Sequence, residues 1–139
     1  MVILIEYLTY KGETPMSEIN KDAAVTFLKL GSSGKVNEAY AKYTDIRFVH
    51  HNPYYEGSAP SLAAGMAENA QQNPDKVLEV KHVIAEGDLV VIHSHVRLKP
   101  ADLGAALVHI FRFDSGRIVE LWDIGQPVPE ESPNQYGMF

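Results

Sequence analysis

Two runs of alternating residues, 107–113 and 117–124, are separated only by Asp114, Ser115 and Gly116. A gap that short is closed by an antiparallel hairpin, because parallel neighbours need a crossover of a dozen or more residues. Period-2 alternation then decides what each face carries. Leu107, His109, Phe111 and Phe113 share one side of the first run, and Val119, Leu121 and Asp123 share one side of the second. One histidine and one aspartate thus interrupt two otherwise apolar faces. With a two-residue loop at Ser115-Gly116, His109 pairs with Trp122 and Asp123 falls on the opposite face. A three-residue loop, with Gly116 left-handed in a G1 bulge, pairs His109 with Leu121 and sets Asp123 opposite Leu107, diagonal to His109. Glycine suits the third loop position and Asp114 its start, so the second register is expected. It predicts one apolar concave face carrying both His109 and Asp123.

Upstream of this hairpin the chain divides into a helical half and a strand half. Ser17 or Asn20 can cap a helix whose apolar positions Ala24, Phe27, Leu28 and Leu30 recur at helical spacing, and Gly31-Ser32-Ser33-Gly34 stops it. A second short helix carries Val36, Ala39, Tyr40 and Tyr43 on one side. Residues 45–51 alternate as a strand that ends at Asn52-Pro53, and a third helix is expected over 61–72, closed by Asn73-Pro74. Strands follow at 76–85 and 89–98 about a turn at Glu86-Gly87-Asp88, then at 104–113 and 117–124. Helices first and hairpins later predict an α+β fold, with the helices packed on one face of a curved, mainly antiparallel sheet. The tail from about Gln126, with Pro127, Pro129 and Pro133, is expected to run extended over the surface or onto a neighbouring subunit. Residues 1–16 are expected to form an N-terminal extension and 17–139 a single domain. The apolar stretch at the start is interrupted at Glu6 and is far short of the ~20 residues that span a bilayer.

A chain of 139 residues can bury a core with an internal pocket. Its net charge of −6 gives no electrostatic footprint for nucleic acid or an anionic membrane, so a small hydrophobic ligand is the expected partner. The absence of cysteine excludes disulfides, thiolate metal sites and a cysteine nucleophile, and fits a cytoplasmic location.

Burial in apolar surroundings disfavours the ionised form of Asp123, and a carboxylate tuned in this way suits general-base work near neutral pH. His109 could donate a hydrogen bond to a substrate oxygen or orient Asp123. His93-Ser94-His95 begins like a two-histidine metal motif, since alternate strand residues project to one face. It lacks the glutamate that would follow, where Lys99 and Pro100 stand, and no metal or cofactor is expected. His50-His51-Asn52-Pro53-Tyr54-Tyr55 places polar and aromatic groups where a strand gives way to a loop, a common position for binding groups. Candidate substrate-binding residues are His51, Asn52, Tyr54, His93, His95, Phe111, Leu121 and Trp122.

Several stretches resemble the SnoaL-like polyketide cyclases of the nuclear-transport-factor-2-like superfamily, and more closely a bacterial group of predicted SnoaL-like aldol-condensation enzymes. They are His51-Asn52-Pro53, the run 108–112 with 116–120, Trp122-Asp123, and the ending 126–130 with Asn134 and 137–139. The resemblance implies a cone-shaped α+β barrel enclosing an apolar pocket, and a homodimer. In the cyclases an aspartate matching Asp123 is the general acid/base, and a histidine matching His109 lies beside the substrate. It implies a cofactor-free intramolecular aldol closure of a small or polycyclic carbonyl compound. Two positions depart from the close group, many of whose members carry an acid where His109 stands and a histidine where Leu121 stands.

Overall fold

The computed structural model describes residues 14–139. Three helices, α1 (Met16–Ser32), α2 (Val36–Tyr43) and α3 (Ala59–Gln72), accompany five strands: β1 (Thr44–His50), β2 (Val77–Glu86), β3 (Leu89–Arg97), β4 (Ala105–Asp114) and β5 (Arg117–Pro127). The strands form one sheet in the order β1-β5-β4-β3-β2. All neighbours are antiparallel except β1, which runs parallel to β5. The fold is α+β, and the sheet stays open, with β1 and β2 as its edges. The expected N-terminal extension falls on residues of which 1–13 lie outside the described residues. No helix among the described residues is long and apolar enough to cross a membrane.

The α1 helix buries Asn20, Ala24, Phe27, Leu28 and Gly31, one stripe at helical spacing. It begins one residue before Ser17, behind Pro15, whose carbonyl accepts from Glu18 and Ile19 N–H. Neither Ser17 nor Asn20 caps it, contrary to expectation. Proline already presets the chain direction there, and Asn20 turns inward instead, with its Oδ1 unpaired among the described residues. Helix α3 starts at Ala59, two residues earlier than expected, because Ser58 Oγ accepts from Ser61 N–H and Pro60 occupies the first turn. Against the inner sheet face the helices close a core of aromatic edges. Phe27 meets Tyr40 at 5.2 Å and Phe111 at 5.9 Å between ring centres, and Tyr40 meets Phe48 at 5.6 Å.

The β4–β5 hairpin does not use the expected three-residue loop. Asp114 pairs with Arg117 across a two-residue turn, with Ser115 at φ 51° and Gly116 at φ 80°. Two left-handed residues define the type I′ turn that matches strand twist. Such a turn alone would have sent Asp123 to the outer face. A bulge corrects it: Phe113 faces Ile118 while Arg112 faces Glu120, so Val119 is the extra residue. Both Ile118 and Val119 are buried, and apolar burial of both explains why the strand accepts the irregularity. Beyond the bulge His109 stands directly opposite Asp123, not diagonal to it. A second bulge, at Lys81 in β2, likewise separates the Val80–Ser94 pair from His82–His93.

Strand β5 also runs further than expected. Gln126 and Pro127 still pair with Ala106 and Ala105, and proline is tolerated because the strand ends there. The remaining tail has no regular structure and brings the Phe139 ring onto His95 at 4.2 Å and His93 at 5.7 Å.

Candidate functional site

Under α1 and α3 the inner sheet face is hollow. A cavity of about 130 Å³ is lined from the helices by Phe27, Leu28, Leu62 and Met66, and from the sheet by Leu78, Val96, Leu107 and Leu121. Its ionisable lining groups are Asp123 on β5, His109 on β4 and Lys76 just before β2. Helix approach is close above it: a Cβ on Gly31 would collide with Met66 Cε.

Asp123 and His109 reach this cavity because they are cross-strand partners, a pair whose side chains stand side by side on one face. His109 Nδ1 is sealed from solvent and has no hydrogen-bond partner among the described residues. Burial pushes the His109 pKa down to about 4, against a smaller opposing pull from the Asp123 charge. At neutral pH the ring is therefore uncharged, with one N–H donor and one acceptor nitrogen.

Asp123 is oriented from β1. His50 is buried, with Nε2 against the Glu56 carbonyl and Nδ1 accepting from Asn52 N–H at 3.1 Å. These contacts fix the tautomer, Nε2 carrying the proton. They also hold Asn52, whose Oδ1 accepts from Tyr54 N–H at 2.9 Å while its Nδ2 donates to Asp123 Oδ2 at 2.9 Å. No described hydrogen bond reaches Asp123 Oδ1, which leaves one carboxylate oxygen for a ligand.

Tyr40 adds a group that sequence reasoning read only as a helix-face aromatic. Its hydroxyl donates to Met66 Sδ at 3.3 Å, a weak acceptor. Burial first, and the Asp123 charge second, raise its pKa, so the phenol stays protonated. In the sequence Lys76 marks only the start of a strand. Nothing in the local pattern marks either one, because each enters the site through the packing of helix against sheet.

The other expected binding residues divide between the two faces. Leu121 lines the cavity, Phe111 is core packed beside His109, and Asn52 touches Asp123. Trp122 points to the outer face, as its pairing with Ile110 requires, and stacks on His51 at 4.9 Å. His51 Nε2 meets Glu120 Oε2 at 2.7 Å, and Glu120 in turn accepts from Arg112. Tyr54 is largely exposed. His93 and His95 alternate with buried Ser94 and so face outward; His93 Nδ1 lies 3.0 Å from His82 Nδ1, and His95 donates to the Leu103 carbonyl at 2.7 Å. Among the described residues no group of three or more histidine, aspartate or glutamate side chains is assembled to hold a metal.

The SnoaL-like domain model matches residues 32–121, so the chain belongs to the SnoaL-like domain family. Similar solved structures agree on the fold. AclR, a candidate hydroxylase from Streptomyces galilaeus, is 24% identical with a TM-score of 0.68, covering 81% of this chain and 91% of its own. A candidate polyketide cyclase from Acidithiobacillus ferrooxidans is 20% identical, with a TM-score of 0.63 and coverages of 81% and 91%. A SnoaL-like protein of unknown function from Burkholderia thailandensis is 16% identical, with a TM-score of 0.65 and coverages of 78% and 96%. A comparison with curated proteins returned no match.

Proposed function

We propose that the chain is a cofactor-independent enzyme that deprotonates a carbon next to a carbonyl, in the manner of an intramolecular aldol cyclisation. The observation that carries this reading is the Asp123–His109 pair facing one apolar cavity, with one Asp123 oxygen held by Asn52 and the other free of partners among the described residues. Asp123 takes the α-proton and the C–H electrons move into the carbonyl, forming an enolate. The neutral His109 ring donates its N–H to the developing oxyanion. The enolate carbon then attacks a second carbonyl of the same molecule, and protonated Asp123 returns its proton to the new alkoxide. No cofactor enters this balance.

The cavity sets the size of what reacts. An apolar cavity of roughly 150 Å³ holds benzene, so about 130 Å³ takes one ring or its open-chain equivalent, favouring a small carbonyl compound over a polycyclic one. The outer face, where Ile84 and Ile124 are exposed, is the surface through which we expect two copies to pair, checked by sedimentation.

Exchange of the α-protons of cyclohexanone in D₂O, followed by NMR, tests the chemistry without knowledge of the true substrate. The expected result is catalysis over buffer that falls by about 10²-fold or more in Asp123→Asn, with an unchanged circular dichroism spectrum. Equal exchange by the two proteins would overturn the enzyme reading and leave a binding protein of the same fold.

A further inference from the structure

We propose that Lys76 is the anion-recognising group of this cavity, and that the ligand carries a carboxylate remote from the carbon that Asp123 deprotonates. The inference rests on the enzyme reading for the position of the reacting carbon, but not for the anion itself. Lys76 lines the same cavity as Asp123 and His109 and is the only lysine or arginine among the described residues that does so. It follows the Asn73-Pro74-Asp75 turn, and its Nζ donates to Asn69 Oδ1 from the last turns of α3. An ammonium has three donors, and this is the one hydrogen bond described for it. None of the ion pairs among the described residues includes Lys76.

A half-buried cation with a single neutral partner is poorly compensated, since burying a charge is costly unless it is paired. Its burial accordingly lowers its pKa. The described residues supply no carboxylate to it, so a ligand that brings one gains a charge-assisted bond in a partly buried site. Sheet order fixes where that carboxylate goes. Asp123 lies on β5 and Lys76 leads into β2, three strand spacings away in the order β5-β4-β3-β2. Strands lie about 4.8 Å apart, so the two backbones are on the order of 14 Å apart along a flat sheet. The lysine stem and sheet curvature shorten that gap. A keto acid with a short aliphatic spacer bridges it, its carboxylate on Lys76 and its carbonyl at His109. The Asp123 charge disfavours the reverse orientation, so the same two groups set both affinity and direction.

Titration calorimetry with 5-oxohexanoate and its methyl ester tests this directly. The native protein is expected to bind the acid at least ~10-fold more tightly than the ester. In Lys76→Met that preference disappears through loss of acid binding, while Lys76→Arg retains it and Asp123→Asn retains or increases it. Thermal unfolding of each variant establishes that it is folded, and Lys76→Gln replaces Lys76→Met if the latter is not. Equal binding of acid and ester by the native protein, no binding of either, or an undiminished preference in the neutral variants would each overturn the proposal. Borohydride trapping of the probe on Lys76 would also overturn it, since an imine requires the lysine as nucleophile rather than as cation. Failure of the exchange test with Asp123→Asn, by contrast, removes the enzyme reading while leaving an acid-over-ester preference intact.

Discussion

The two faces of the sheet carry the same kinds of side chain and treat them in opposite ways. On β5, Asp123 faces inward and Glu120 outward; on β4, His109 faces inward, while His93 and His95 of β3 face outward. Outside, each group has a partner: Glu120 holds His51 and Arg112, His93 touches His82, and His95 reaches the Leu103 carbonyl. The hydrogen bonds from His51 and Arg112 hold the Glu120 carboxyl below the usual carboxylate range. Inside, partners are few and burial dominates, as the unpaired His109 Nδ1 and the depressed His109 pKa indicate. The difference comes from the helices, which cover one face and remove its water. His109 and Lys76 there are tuned by desolvation, whereas Glu120 outside is settled by its neighbours.

The sharpest way to break this comparison is to remove one carboxylate from each face of the same strand. Asp123→Asn is expected to lower α-proton exchange by about 10²-fold or more, and Glu120→Gln to leave it within a factor of about two. Equal losses would mean that β5 matters to the reaction as scaffold and not through its inner carboxylate. Next in size is an aromatic pair. Phe111 is fully buried, and Phe111→Ala is expected to cost about 3–5 kcal/mol in chemical denaturation. Trp122→Ala, one step away on the outer face, should cost well under half of that. If its cost grows with protein concentration, the outer face is buried between two copies.

Much of this contrast is legible in the sequence. Alternation alone put His109 and Asp123 on apolar faces, and the helical spacing of Ala24, Phe27 and Leu28 marked the face that covers them. The turn differs from its expected form, because Asp114-Ser115-Gly116 fits both a two-residue and a three-residue loop, and a bulge at Val119 leaves no local signature. The two differences cancel: an inserted residue in the strand restores the parity that the shorter loop removes. Alternation also placed His93 and His95 on one face but could not say which face the helices would cover. Lys76 and Tyr40 were missed as site residues because their roles depend on contacts between elements far apart in sequence.

The pH dependence of stability separates the faces without any substrate. His109 binds its proton at about pH 4 in the folded chain and near pH 6.5 once unfolded. Between those values the unfolded chain binds more protons, so stability rises with pH across the window and is level above it. The full difference is on the order of 3 kcal/mol, lost progressively as pH falls from about 6.5 toward 4. Denaturation of the native protein at pH 7 and pH 5 should show roughly half of that difference. His109→Leu should flatten it, whereas His93→Ala or His95→Ala should leave it in place. A slope that survives His109→Leu would assign it to some other group.

The smallest effect concerns the turn that joins the two strands. Ser115 occupies the left-handed region at φ 51°, where a residue with Cβ is strained and asparagine is better tolerated. Ser115→Asn creates the Asn-Gly pair that type I′ turns favour and should stabilise by a few tenths of a kcal/mol, up to about 1. The change gives up the Ser115 Oγ bond to Asp114, a single exposed contact whose loss costs little. Gly116→Ala tests the opposite sign. A Cβ there meets nothing within 4 Å, so its cost of about 1 kcal/mol is set by the backbone at φ 80° alone. Neither substitution changes which residues pair beyond Val119, so both proteins should keep the His109 pH slope of the native chain. If either one loses that slope, the turn has slipped the register, and the division of charged groups between the two faces depends on the loop rather than on the bulge.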